Sequence, residues 1–259
     1  MLGFMLAVRS SGATGQDVLF FGNSLTYGHG APAVQQLGGV PKLVEAIAAG
    51  KRRKASCTML AQARKDLRYH VERDETERAL ASRDWEFVVL QDACFKPTRL
   101  GSVRGFLSSG GTFYELIRQR APGAMIVLYE TWATERGYNY FSQTAGRMVH
   151  VQPAEMITEV RRGYATMKEL LGGLEPGEQV RLARVGTAFA ACRRKFPEVH
   201  LRTADGLHAT EHGDYLAALV LYKAIFRDSP VGAVRHFPGV TVDSSTAAKL
   251  QQIAAGVEN

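Results

Sequence analysis

Five short apolar runs, at 17–22, 55–60, 86–91, 124–130 and 180–186, constrain the fold of this chain more than any other feature. Each has strand length and is rich in β-branched or large apolar residues, as in Phe87-Val88-Val89-Leu90 and Met125-Ile126-Val127-Leu128-Tyr129. Runs without polar alternation belong to strands buried on both faces, the pattern of a parallel sheet covered by helices. Helical stretches separate them. Pro41 to Ala49 opens with a proline suited to a first helical turn. Pro153 to Leu171 repeats Met156, Val160, Tyr164, Met167 and Leu171 at helical spacing, a core-packing stripe. Asp214 to Phe226 sets Leu216, Leu219, Val220 and Lys223 on one side, as a helix lying on a sheet does. This alternation predicts an α/β fold: a three-layer α/β/α sandwich around a doubly wound parallel sheet of about five strands. Active sites in such sheets gather at the carboxyl ends of the strands, and Ser24, Gln91 and Trp132 each follow a strand end directly.

No Pro/Ser/Gly-rich linker or internal repeat divides the 259 residues, so 17–259 reads as one domain. A hydrophobic content of 46% with 22% charged residues excludes a disordered chain. The apolar start, Met1 to Val8, is too short to span a bilayer. Residues 1–16 are read as a flexible leader or the remnant of a secretory signal, which leaves the compartment open between secreted or periplasmic and cytoplasmic. The net charge of +7 concentrates in Lys51-Arg52-Arg53-Lys54 and Arg193-Arg194-Lys195, each at an expected helix end where cations meet the negative end of the helix dipole. No aromatic residues interleave with these runs, so the expected partners include neither nucleic acid nor a membrane interior. Cys57, Cys94 and Cys192 lack metal-ligand spacing and read as free thiols; Cys57 and Cys94 fall in or beside core strands. The seven histidines form no metal motif, and neither metal nor cofactor is expected. Oligomeric state leaves no signature in the sequence.

Chemistry concentrates in two segments. Gly22-Asn23-Ser24-Leu25-Thr26 places a serine on a tight turn after the first strand, and Asp205-Gly206-Leu207-His208 lies near the other end of the chain. A serine hydroxyl needs a base within hydrogen-bonding reach to become a nucleophile, and His208 is the candidate. Asp205, three residues earlier, can accept from the imidazole Nδ1–H and hold the tautomer. Read alone, the second segment fits a turn and a helix start equally well. Thr26 stands where a Gly-x-Ser-x-Gly elbow would carry its second glycine, so the α/β-hydrolase layout is excluded.

Gly-Asn-Ser-x-Thr after the first strand, together with Asp-x-x-His near the carboxyl end, resembles the SGNH hydrolase superfamily, the GDSL-like lipases and esterases. The resemblance runs from about Asp17 to Gly232 and implies a flavodoxin-like SGNH hydrolase fold. It implies Ser24 as nucleophile, His208 as base and Asp205 as its partner. It further implies an oxyanion hole built from the Ser24 amide, a second-block glycine amide and a third-block asparagine side chain. Here Gln91 stands in the asparagine position, and Val88-Val89-Leu90-Gln91 is similar to a bacterial subgroup of the superfamily. The spacing to Leu67 and His70 puts Arg64 at the glycine position. Asn23 and Trp132 are the expected substrate contacts, whereas His70 reads as a structural histidine and Tyr27 and His29 as packing at the helix start. The implied activity is cofactor-free hydrolysis of an acylated carbohydrate or small acyl ester. A non-catalytic glycan-binding module of the same fold, or an acyltransferase, stays open.

Overall fold

The structure, a computed structural model, describes residues 15–142, 146–174 and 177–258. The expected leader thus lies outside the described residues up to residue 14. Strand β1 (Gln16–Gly22) runs into the one-turn helix α1 (Ser24–Tyr27), followed by α2 (Pro32–Leu37), α3 (Val40–Gly50) and β2 (Ala55–Ala61). Helices α4 (Leu67–Val71) and α5 (Asp74–Ala81) lead to β3 (Phe87–Leu90), and α6 (Val103–Arg120) leads to β4 (Met125–Tyr129). A hairpin of β5 (Tyr138–Ser142) and β6 (Arg147–Val151) precedes α7 (Pro153–Gly172), β7 (Val180–Ala183), α8 (Val185–Lys195) and α9 (Glu211–Phe226). The short pair β8 (His236–Phe237) and β9 (Val240–Thr241) comes next, and then α10 (Ser244–Gly256).

The five strands expected from the apolar runs pair in parallel in the order β2-β1-β3-β4-β7. Val18 to Phe21, all of β3, and Ile126 to Tyr129 are buried, as strands covered on both faces must be. Two groups of helices flank the sheet: α6 packs on α4, α5 and α7, while α9 packs on α3, α8 and α10. The fifth run divides, because Val185 begins α8 instead of extending the strand. At Gly186 a Cβ would stand 2.0 Å from the Thr131 carbonyl oxygen, so this residue type lets the helix enter hard against the loop after β4.

Helix α9 departs from the one-sided stripe. Almost every residue from Gly213 to Ile225 is buried, because α10, which no sequence pattern suggested, covers the face turned away from the sheet. Lys223 sits on the apolar side for a specific reason. Its ammonium donates to the carbonyls of Ala255 (2.7 Å) and Val257 (2.6 Å) at the end of α10.

Register sets up the site. Phe21 pairs with Leu90 and Leu90 with Leu128, so the carboxyl ends of β1, β3 and β4 reach one edge together. The order reverses at β1, with β2 on one side and β3 on the other, which opens the crevice where doubly wound sheets bind ligands. Ser24 follows β1 and Gln91 follows β3 at this edge.

Leu219 is wholly buried on α9. Leu219→Ala is expected to lower the unfolding free energy by about 2–5 kcal/mol in urea denaturation. A loss under about 1 kcal/mol would place α9 at the surface instead.

Candidate active site

The serine turn is built by its neighbours. Asn23 is the N-cap of α1, its side-chain oxygen accepting from Leu25 N–H at 3.1 Å, and Gly28 closes the turn with φ 77°. A Cβ at Gly22 would stand 2.2 Å from Thr26 Oγ1 and 2.7 Å from Gln91 Oε1, so only glycine lets the strand pass into so tight a helix. The Gly22 carbonyl accepts from Gln62 N–H (3.1 Å) and from His70 Nε2–H (2.8 Å). His70 is buried, and burial lowers its pKa, consistent with a neutral ring donating through Nε2. The structural role expected for His70 is therefore its observed one.

Opposite this turn, the residues around Asp205 form a small hairpin. Thr203 N–H donates to the His208 carbonyl (2.8 Å) and Thr210 N–H to the Leu201 carbonyl (3.0 Å). Asp205 Oδ1 accepts from Thr203 Oγ1 (2.8 Å), Leu207 N–H (2.8 Å) and His208 N–H (2.9 Å), and Oδ2 faces His208 Nδ1 at 2.6 Å. Burial alone would raise the Asp205 pKa, but these donors, the imidazole first among them, hold it far below the usual carboxylate range. His208 Nε2 lies 3.0 Å from Ser24 Oγ, so serine, imidazole and carboxylate form one hydrogen-bonded line across 184 positions of sequence. Close approach of the two segments depends on Gly30, where a Cβ would stand 2.3 Å from the Ala209 carbonyl oxygen. The His29 ring packs edge-on against His208 with centroids 4.6 Å apart, which puts it at the site and not only at the helix start.

Three expected site residues do other work. Gln91 is buried, and its Oε1 accepts from Asn23 N–H (2.9 Å) and Thr26 Oγ1 (2.7 Å), while its Nε2 donates to the Asp92 carbonyl. It holds the serine turn from beneath and does not reach past it as an oxyanion donor. Asn23 is also buried, with its oxygen capping α1 and its Nδ2 donating to the Lys65 carbonyl at 3.0 Å, so its side chain faces the protein and not the cleft. Trp132 has no exposed surface: its indole stacks on Phe189 at 4.2 Å, and Nε1 donates to the Leu207 carbonyl at 2.7 Å. Trp132 thus braces the Asp205–His208 loop from the core side.

Arg64 is exposed and adopts the left-handed conformation, φ 62°, that favours glycine. It sits third in a turn closed by Lys65 N–H to the Gln62 carbonyl (3.2 Å), the position that takes positive φ in type II and I′ turns. The backbone thus has the shape of the glycine position assigned to Arg64. Neither the Ser24 nor the Arg64 backbone N–H has an acceptor among the described residues, which leaves both as candidate oxyanion donors. Asp92, buried, ties this turn to β3 by accepting from Leu67 N–H (3.3 Å) and Ala93 N–H (2.7 Å). Burial pushes its pKa up to about 7. All three cysteines are free and buried, and burial raises each thiol pKa. Among the described residues no His/Cys/Asp/Glu cluster could hold a metal, and no helix is long and apolar enough to cross a membrane.

The same arrangement of sheet and helices recurs in solved structures. A DUF4886 family protein from Bacteroides uniformis matches at 18% identity and TM-score 0.67, covering 93% of this chain and 94% of that one. A proposed GDSL-like lipase from Parabacteroides merdae matches at 16% and 0.60, over 82% and 96% of the two chains. A Clostridium thermocellum family 3 carbohydrate esterase matches at 11% and 0.58, over 83% and 96%. The chain has the SGNH hydrolase fold. No protein-family model and no curated protein matches the sequence.

Two substitutions probe the scaffold. Arg64→Gly is expected to be at least as stable as the parent, since relief of about 1 kcal/mol of left-handed strain offsets the added chain entropy. Arg64→Val should lose about 1 kcal/mol or more, and the reverse order in denaturant titrations would remove Arg64 from a strained turn. Asp92 in the folded state keeps its proton to about pH 7, whereas an unfolded aspartate loses it near about 3.9. The folded state therefore binds more protons between those values, and stability falls as pH rises through that window. Asp92→Asn, which keeps the oxygen acceptor, should flatten this fall when unfolding free energies are compared at pH 5 and pH 8. An unchanged slope would mean that Asp92 ionises normally in place.

Proposed function

We propose that the protein is a serine esterase whose nucleophile is Ser24. The hydrogen-bonded line from Asp205 through His208 to Ser24 Oγ, 2.6 Å and 3.0 Å, carries this reading. Ser24 Oγ attacks the ester carbonyl carbon while His208 Nε2 takes the hydroxyl proton, and Asp205 stabilises the imidazolium and fixes its orientation. The carbonyl oxygen becomes an oxyanion facing the backbone N–H groups of Ser24 and Arg64. Collapse of the tetrahedral intermediate breaks the bond to the alcohol oxygen, which leaves with the proton held on His208. Water then gives a proton to His208 and adds to the acyl-enzyme, and the acid departs as the proton returns to Ser24.

Acylated carbohydrates or small acyl esters are the substrate class we infer, in keeping with the carbohydrate esterase that shares the fold. A half-exposed aspartate and an accessible serine suit an ester approached from solvent. The inward-facing Gln91 favours a second reading, a cleft that binds an acylated ligand without turning it over, because it leaves two backbone donors instead of three.

One experiment separates the two. Ser24→Ala is expected to lower kcat on 4-nitrophenyl acetate by at least about a thousandfold, and a fluorophosphonate should add its mass to Ser24 in the parent only. Undiminished turnover by Ser24→Ala would sink the esterase reading. An unlabelled parent that still binds acylated sugars would support the second.

A further inference from the structure

Beside the Asp205–His208 loop lies a cavity of about 680 Å³ whose lining includes Arg136, Arg161, Arg193, Arg194 and Arg202 and a single acid, Glu135. It adjoins the catalytic loop directly. Glu135 N–H donates to the Gly206 carbonyl (2.8 Å), and Arg136 donates to the Ala204 carbonyl (3.1 Å). Arg202 precedes Thr203, whose hydroxyl donates to Asp205.

Arg161 and Arg202 are anchored on neutral oxygens, whereas Arg136, Arg193 and Arg194 are exposed. Arg161 Nε donates to Thr187 Oγ1 (3.0 Å), and Arg202 Nε donates to the Ala133 carbonyl (3.1 Å) with its guanidinium over the Phe189 ring. Both are half-buried and fixed through Nε. No ion pair joins any of the five to an acid among the described residues. Burial pushes Arg202 down to about 10, with Glu135 opposing and Arg193 adding, so it keeps its charge at neutral pH. By contrast, Glu155 and Glu159 on α7 pair with Arg99. Five guanidinium groups line one cavity with a single acid, and the planar fork of arginine suits carboxylate, phosphate and sulfate oxygens. The run Arg193-Arg194-Lys195 thus does more than end α8: two of its members face the cavity.

We propose that this cavity is a subsite for an anionic group, a carboxylate, phosphate or sulfate carried on the non-reacting part of the ester. The link to an ester rests on the esterase reading; the binding of the anion does not. The subsite would select acylated sugars or other esters that bear a negative charge on the part of the substrate reaching over the Asp205–His208 loop.

Calorimetric titration with glucuronate, glucose 6-phosphate and glucose 6-sulfate, against neutral glucose, tests the subsite on the full chain. Saturable binding of at least one anionic sugar is expected, and which one binds identifies the preferred oxyanion. Arg161→Gln and, independently, Arg193→Gln should each weaken it about tenfold or more, the scale of one charge-assisted hydrogen bond. Arg78→Gln, which removes the same charge from the distant α5, should leave it as in the parent. A parallel measurement compares kcat/KM for 4-acetoxybenzoate and phenyl acetate, and the preference for the anionic ester should fall in the two cavity variants. No saturable binding of any anion, glucose binding as tightly as the anions, or an equal effect of Arg78→Gln would overturn the subsite. Anion binding without hydrolysis of either ester would support the subsite and overturn the esterase reading alone.

Discussion

A single acceptor atom, Gln91 Oε1, joins the two strands between which the site opens. It takes hydrogen bonds from Asn23 N–H and Thr26 Oγ1, one on each side of Ser24, and it belongs to the residue that follows β3. Backbone pairing sets the height of the two strand ends, since Gln91 N–H donates to the Phe21 carbonyl at 3.0 Å. The side chain then sets the conformation of the serine turn at the end of β1. Because every partner is buried, a lost bond here would strand a polar group away from water, at a cost of about 1–3 kcal/mol. The Ser24 hydroxyl is therefore aimed by a rigid support that itself never meets solvent.

The layers of the fold were legible because burial writes itself into residue type. Strands covered on both faces leave apolar runs with no alternation, and each of the five runs became a strand of one parallel sheet. What escaped was structure whose stability comes from partners rather than pattern. The β5–β6 hairpin exposes Tyr138, Phe141 and Met148, so it lacks a buried stripe to announce it. Helix α10 begins at a side-chain cap, Asp243 Oδ1 to Thr246 N–H at 2.9 Å, and its carboxyl end is met by Lys223 from another helix. A lysine on an apolar stripe was the visible trace of that contact, and it has meaning only once its partner is known.

The site divides along a similar line. Ser24, His208 and Asp205 come together as their chemistry and chain order suggested, because each was named for what its own atoms can do. Gln91, Asn23 and Trp132 were expected to face outward and instead face inward. Residue type cannot distinguish an amide that meets a ligand from one that meets the backbone, since both need the same donors and acceptors. Trp132 shows the same ambiguity for an aromatic ring: its single N–H donor is used on Leu207, and its face is used on Phe189. Arg64 is the opposite case. A bulky side chain hid a glycine-like backbone whose only sequence trace was its distance from Leu67 and His70.

Three aspartates show how the protein separates charge from burial. Asp205 keeps its side chain about half exposed, yet three donors on one oxygen and the imidazole on the other keep it ionised. Asp92 is buried with two backbone donors, and burial overrides them far enough to bring it to about 7. Asp214, on α9 behind the serine helix, is fully buried with neither oxygen partnered among the described residues, and burial raises its pKa well above the usual carboxylate range. Exposed and hydrogen-bonded, Asp205 has a lowered pKa, whereas both buried aspartates have raised ones, as desolvation outweighs hydrogen bonding. In the proposed mechanism the carboxylate that stabilises the imidazolium is of the first kind: near water, heavily hydrogen-bonded and ionised. The two buried acids, uncharged more readily, are suited to packing inside the fold, where a permanent negative charge would be costly without a partner.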